Sequence, residues 1–170
     1  MMATVKITSF TRSRQAAKKS VRYFTHRPGN DKRQTSREIL GIDGVLEKHQ
    51  AYQMIDRAAK GTVFFRIVIS PDPQKEDSKK DLYLQSITEH TMLALDDGLK
   101  KNIQFLAVTH SDHTDIRHVH VMACVKERIE KPDLKALREA ATEAALFQRQ
   151  ELDLARAAKQ REIEEAQWQI

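Results

Sequence analysis

The sequence has one cysteine, Cys124, among its 170 residues. A single thiol excludes a disulfide within the chain and fits a reducing compartment, so we expect a cytoplasmic protein. No stretch approaches the roughly 20 apolar residues of a membrane span, and the start of the chain lacks the apolar core of a signal peptide. These absences predict a protein that does not insert into a membrane.

The sequence also has no internal repeat and no low-complexity linker. Its length fits one domain with a substantial hydrophobic core, and 40% hydrophobic and 31% charged residues are ordinary for a soluble protein. We expect one domain over residues 1–131. A helix over residues 132–170 should follow it and pack on it in part.

Positive charge is concentrated at the start of the chain. The net charge is +5, but residues 1–37 hold ten Lys or Arg against one acidic residue, and the remainder of the chain is net negative. A basic N-terminal segment on a near-neutral body indicates a polyanionic partner, most simply nucleic acid. The alternative is a solvated basic helix, and charge alone does not decide between the two.

Apolar periodicity predicts an α+β fold. An antiparallel central sheet should carry helices on one face, and a long C-terminal helix should follow. The last helix should pack over its first half, while the second half projects, pairs with another chain or is a frayed charged tail. The predicted strands are 3–8, 62–70, 102–110 and 117–126; the predicted helices are 11–27, 46–60, 82–99 and 132 onward; residues 39–46 form a turn or small hairpin.

The most informative stretch is residues 110–120, which contain four histidines and two aspartates. Apolar, β-branched residues flank it on both sides, which is typical of two strands joined by a polar turn. Side chains two apart on a strand share a face, so His118 and His120 should point the same way. His110, at the end of the preceding strand, can reach the same place.

Three imidazoles on one sheet face suit a divalent metal. Neutral imidazole binds Zn, Mn, Ni or Co, and three protein ligands leave coordination positions open for a substrate. Asp112 could orient one of the ligating rings. The alternative is a polar hairpin tip with surface histidines and one buried, hydrogen-bonded His. The two-residue spacing of His118 and His120 favours the metal site.

Two further segments stand out beside the His118-Val119-His120 pattern. Tyr23 lies on the predicted first helix, within the basic segment 21–27. An apolar strand closes on serine at Val68-Ile69-Ser70. With these residues in view, the chain resembles the relaxases, the mobilisation nucleases of conjugative elements. They belong to the HUH endonuclease superfamily, which is named for two histidines that flank one apolar residue.

The match is to the plasmid-mobilisation branch that includes the Agrobacterium border nuclease, and it spans roughly residues 3–126 with the motifs in the same order. It implies an HUH-like fold. It also implies site- and strand-specific nicking and rejoining of single-stranded DNA at an origin of transfer, the step that starts conjugative transfer or mobilisation. Accessory and coupling proteins of a transfer apparatus would be further partners.

The resemblance implies a role for each matched residue. Tyr23 would attack the scissile phosphorus and form a 5′-phosphotyrosyl link, with a divalent ion, Mn or Mg most simply, on His110, His118 and His120. Asp112 would act as the base or orient a histidine, and Ser70 would hold DNA near the nick. The cations offered as DNA contacts are Arg12, Arg14, Lys18, Lys19, Arg22 and Arg27, of which Lys19, Arg22 and Arg27 would also favour the ionised phenol.

Three alternatives stay open. Tyr52 or Tyr83 could be the nucleophile instead of Tyr23. The chain could be a non-catalytic basic module that grips DNA. It could also be a rolling-circle replication-initiation nuclease of the same superfamily, although such enzymes usually place the tyrosine after the histidines.

Overall fold

The computed structural model describes residues 2–27, 36–112 and 114–169. Within them the chain forms six strands and four helices. In chain order these are β1 (Thr4–Thr11), α1 (Arg14–His26), β2 (Ile39–Gly41), β3 (Gly44–Leu46), α2 (Lys48–Asp56), β4 (Val63–Ser70), α3 (Leu84–Leu99), β5 (Gln104–His110), β6 (His118–Val125) and α4 (Lys131–Trp168).

The strands form one antiparallel sheet in the order β1-β4-β6-β5-β2-β3. The apolar strands β4, β6 and β5 lie in its interior, as expected for runs rich in Val, Ile and Phe. The turn signal at residues 41–44 is a hairpin whose two short strands extend the sheet at one edge. Gly44 has a φ of 118°, a conformation that glycine adopts without steric cost. The predicted α+β fold with an antiparallel sheet is therefore confirmed.

The prediction that helices cover only one face of the sheet was wrong. On β6, Val119, Val121 and Ala123 face a core that α3 and α4 cover. Met122, on the opposite face, packs in a second core under α1 and α2. The physical reason is that β4 and β6 are apolar on both faces, and an apolar face must be buried against another layer.

Helix α1 is capped by Ser13, whose side chain accepts a hydrogen bond from the Ala16 backbone N–H at 3.2 Å. Such a cap satisfies one of the unpaired amides at a helix start. Ala17, Val21 and Phe24 recur at helical spacing and are buried against the sheet. The helix therefore lies along the sheet with a fixed rotation, and its last turn reaches the end of the sheet where β5 ends and β6 begins.

Helix α4 is 38 residues long, which corresponds to about 57 Å at the usual helical rise. Leu137, Ala141 and Ala145 form a buried stripe against the body, whereas residues 153–169 are all exposed. The first half of α4 thus packs on the body, and the second half projects from it as a helix. Among the described residues, no helix combines the length and apolar character needed to cross a membrane.

We expect Leu137→Ala to lower the free energy of unfolding by about 3 kcal/mol, because the buried side chain leaves a cavity against the sheet. The matched control is Leu154→Ala on the same helix. Leu154 is 57% exposed, so its truncation should change the unfolding free energy by less than about 0.5 kcal/mol. Urea denaturation of both variants measures these changes. Equal losses of unfolding free energy would contradict a helix that packs on the body through its first half and not through its second.

Candidate metal centre

Three histidines meet at the loop end of the β5–β6 hairpin. His110 pairs directly with His118 across the two strands, and His120 follows on the same face of β6. The ring centroids are 5.2 Å apart for His110 and His118, 4.5 Å for His110 and His120, and 5.0 Å for His118 and His120. One ligand nitrogen from each ring lies within 4.8 Å of the others, so the cluster could hold a metal ion.

The last turn of α1 covers this cluster. The Phe24 ring stacks on the His120 ring with centroids 4.6 Å apart and planes 10° from parallel. The Phe24 backbone carbonyl accepts a hydrogen bond from His110 Nε2 at 2.8 Å. His110 is completely buried, while His118 and His120 are partly buried. One helix residue therefore contacts two of the three histidines.

Hydrogen bonds to carbonyl oxygens assign the ring nitrogens. A carbonyl can only accept, so His110 Nε2 carries the proton and Nδ1 is the atom that would bind a metal. His118 Nδ1 lies 3.0 Å from the Ile116 carbonyl oxygen, which assigns Nε2 as its ligand atom. The Nε2 of His120 is buried and has no hydrogen-bond partner within the described ranges. A buried polar atom left unpaired costs about 1–3 kcal/mol, and a divalent ion would satisfy it. The donor set thus fits an imidazole-bound metal.

Burial lowers the pKa of His120 to about 3, with further contributions from His110, His118 and the cations Arg66 and Arg27. Desolvation disfavours the charged imidazolium, and neighbouring positive charges act in the same direction. His120 is therefore neutral around pH 7, the form that offers a lone pair to a metal.

Tyr23 precedes Phe24 on α1 and is 49% exposed. Its ring centroid lies 6.4 Å from that of Phe24, and the Arg27 guanidinium carbon lies over the Tyr23 ring at 5.8 Å from the centroid. The phenol is thus on the helix turn that covers the histidines and is open to an outside ligand. The alternative Tyr52 is partly buried, with the ammonium groups of Lys18 and Lys48 over its ring.

The described contacts of Asp112 join it to Arg37. The Arg37 Nε atom lies 3.1 Å from Asp112 Oδ1, and Nη2 lies 2.9 Å from Oδ2. A base or histidine-orienting role for Asp112 stays a prediction. Sequence reasoning missed Arg37 because it lies in a polar loop without periodicity, where no pattern marks one cation among several.

Two residues of β4 flank the cluster. The β4–β6 register pairs Ile69 with Val119, so Ser70 comes beside His118, and Ser70 Oγ donates to the Arg117 carbonyl at 3.3 Å. Arg66, on the same face, places its guanidinium 4.9 Å from the centroid of the Phe24 ring. Sequence reasoning missed Arg66, although a lone charge within an apolar strand was a usable signal.

The cations predicted to contact DNA fall into two groups. Arg14 donates to the Ala58 carbonyl at 2.8 Å and Lys18 pairs with Asp56 at 2.6 Å, so both tie α1 to the α2 region. The others are Arg12, Lys19 and Arg22, which are exposed, and Arg27, which is half-buried at the end of α1. The second group is better placed to meet an outside anion.

Comparison of the chain with protein-family models, curated proteins and solved structures gives no match. Function therefore has to be inferred from the residues and their arrangement.

We expect the protein to bind one Mn²⁺ or Zn²⁺ per chain in a calorimetric titration. His118→Ala and His120→Ala should weaken that affinity on the order of 100-fold or more, because each removes one of three ligands. The matched control is His90→Ala, which removes an exposed histidine of α3. Equal affinities in His118→Ala and His90→Ala would exclude the cluster as the binding site.

The low pKa of His120 also predicts a pH dependence of stability in the metal-free protein. The unfolded chain binds a proton at this residue below pH 6.5, whereas the folded chain does not until about pH 3. Stability is therefore lost as the pH falls below 6.5, by about 2 kcal/mol at pH 5.

Denaturation at pH 7 and pH 5 in the presence of a chelator measures this loss, with His120→Gln as the reference. The wild type should lose about 2 kcal/mol more than the variant between the two pH values, since glutamine does not titrate. Parallel losses would contradict a neutral, buried His120.

Proposed function

We propose that this chain is a relaxase, a metal-dependent nuclease that nicks and rejoins single-stranded DNA through a covalent link to Tyr23. The observation that carries the proposal is the last turn of α1, which brings the Tyr23 phenol next to the histidine cluster. Phe24 contacts His110 and His120, and its neighbour Tyr23 exposes its phenol. A nucleophile on a helix turn that packs against the candidate metal site suits phosphoryl transfer, which depends on positioning and on charge stabilisation.

A divalent ion on His110, His118 and His120 would polarise a non-bridging phosphate oxygen and offset the negative charge that develops on it. Within the chain, the hydrogen bonds of His110 and His118 to backbone carbonyls orient their rings toward a common centre. Phe24 covers the His120 ring and keeps water from that side. These residues hold the ligand nitrogens in place before any substrate arrives.

Tyr23 Oη is the proposed nucleophile. Its bond to the scissile phosphorus forms while the bond from phosphorus to the 3′ oxygen of the upstream nucleotide breaks. The phenol proton is released to a base or to water, and the leaving 3′ oxygen takes up a proton from water. The products are a 5′-phosphotyrosyl link and a free 3′ hydroxyl. Because the covalent link conserves the energy of the phosphodiester, the same site can rejoin the strand by the reverse attack.

Positive groups around the site support a polyanionic substrate. The guanidinium of Arg66 makes no hydrogen bond or ion pair with any residue that the structure describes, yet it lies against Phe24 beside the cluster. Arg27 lies over the Tyr23 ring. Guanidinium groups bind phosphate oxygens through paired N–H donors, so these two residues are the best placed phosphate contacts.

Nicking at an origin of transfer, for mobilisation or conjugation, is the biological role we propose for this chemistry. Accessory and coupling proteins would then bring the nicked strand to a transfer apparatus. A binding module without catalysis would use the same cations but would need no exposed phenol beside the histidines.

The test uses a pool of single-stranded oligonucleotides of random sequence, incubated with the protein and Mn²⁺. We expect an adduct that survives denaturing electrophoresis and retains a label at the 3′ end of the DNA but not at the 5′ end. Tyr23→Phe should abolish it, because the hydroxyl that forms the link is gone. The matched control is Tyr83→Phe, which removes another exposed phenol and should leave the adduct unchanged.

An adduct that persists in Tyr23→Phe would exclude Tyr23 as the nucleophile. A wild-type protein that binds the pool tightly without any adduct would support the binding module. An adduct that carries the 5′ label would mean the opposite polarity of cleavage.

A further inference from the structure

One guanidinium, that of Arg37, connects the end of α1 with the loop that follows β5. Its Nε and Nη2 atoms bind both carboxylate oxygens of Asp112, at 3.1 and 2.9 Å. Its Nη1 atom donates to the Arg27 carbonyl at 2.8 Å and approaches the Phe24 carbonyl at 3.4 Å. The backbone N–H of Arg37 also donates to the Thr25 carbonyl at 3.1 Å.

These contacts complete the end of a helix. The last carbonyls of an α-helix have no partner within the helix, and a cation at that end is favourable for the helix dipole as well. The Arg37 side chain is only 7% exposed, so its contacts are shielded from competing water. Lysine could supply the charge but not the planar fork that reaches a carboxylate and two carbonyls together.

The Phe24 carbonyl is the point where this arrangement meets the histidines. It accepts from His110 Nε2 at 2.8 Å, and Arg37 Nη1 lies 3.4 Å from it. The position of this carbonyl selects which nitrogen of His110 faces the cluster. Tyr23 lies on the same turn, so a displacement of the turn would move the phenol and the His110 ring together.

We propose that Arg37, held by Asp112, is a positioning residue that fixes the last turn of α1 over the histidine cluster. It sets the ring state of His110 and the location of the Tyr23 phenol. Asp112 then acts through Arg37 and not as a base. The part concerning Tyr23 rests on the relaxase function proposed above, whereas the part concerning His110 rests on the contacts alone.

The test compares Arg37→Gln, Arg37→Lys, Asp112→Asn and the double variant Arg37→Gln/Asp112→Asn. The matched control is Arg149→Gln. Arg149 is another buried arginine paired with a carboxylate, Asp81 at 2.6 Å, but it lies on α4 on the other face of the sheet. Its loss should lower stability and leave the histidine cluster unchanged.

Three readouts distinguish positioning from general structural support. We expect Arg37→Gln to weaken Mn²⁺ or Zn²⁺ affinity on the order of 10-fold, as loss of a group that orients a ligand does, with Arg149→Gln at the wild-type value. Nitrogen-detected NMR of the histidine rings should show the Nε2–H form of His110 in the wild type and a mixture of forms in Arg37→Gln. In adduct formation kcat should fall by at least 10-fold while KM for DNA changes little, and Arg37→Lys should recover part of the loss.

The double variant tests whether the two residues act as a unit. We expect it to be no slower than Arg37→Gln alone, because each single change already breaks the same pair. Asp112→Asn should lower kcat without altering the shape of its pH profile. If Asp112→Asn removes the acidic limb of the profile, which reports ionisation of a general base, Asp112 is that base. The proposal that it acts only through Arg37 would then be overturned.

Metal affinity and ring state of Arg37→Gln equal to those of Arg149→Gln would overturn the proposal for His110. If kcat is unchanged as well, the proposal fails for Tyr23. If the wild type forms no adduct, the relaxase function fails, and the metal and NMR measurements alone then decide the role of Arg37.

Discussion

The register of the β5–β6 hairpin is the constraint on which the rest of the structure depends. His110 lies opposite His118 because Phe105, Ala107 and Val121 must face one core while Leu106 and Met122 face the other. A slip of one residue would turn the histidines toward the core under α3 and α4 and would expose apolar side chains in exchange. The same alternation therefore builds both hydrophobic cores and places three imidazoles on one face. Folding to this register and forming the candidate metal centre are one event.

Helix α1 connects the hydrophobic core with the histidine cluster. Ala17 and Val21 anchor it on the sheet, and Phe24 extends the same buried stripe until it touches His120. Because a helix rotates about 100° per residue, Tyr23 falls outside the buried stripe of Ala17, Val21 and Phe24. The exposed position of Tyr23 therefore follows from the packing of α1 on the sheet. A rigid helix is a more exact support for a reacting group than a loop would be.

The sequence predicted those parts that depend on short-range patterns. The two-residue spacing of His118 and His120 forces a shared face once the segment is a strand, and the run of Ala, Glu and Leu after residue 131 predicts a long helix. The prediction that helices cover one face of the sheet was incorrect. Strands that are apolar on both faces, such as β4, are typical of a sheet that helices cover on both sides. Arg37 and Arg66 were missed for different reasons. Arg37 is 75 positions from Asp112, and no local sequence pattern can connect residues so far apart. Arg66 is a charged residue in an apolar strand, and apolar periodicity alone does not say what such a charge does.

The Phe24 carbonyl oxygen is open to a hydrogen bond from His110 because helix α1 ends within the next few residues. If the helix continued, the amide of residue 28 would bind that oxygen in the regular pattern of one residue to the fourth before it. Residue 28 is proline, whose nitrogen has no hydrogen to donate. The oxygen is thereby left for the His110 imidazole, on the sheet face that α1 covers, and for Arg37 Nη1. A missing hydrogen in the backbone thus allows a distant histidine to be held in one tautomer.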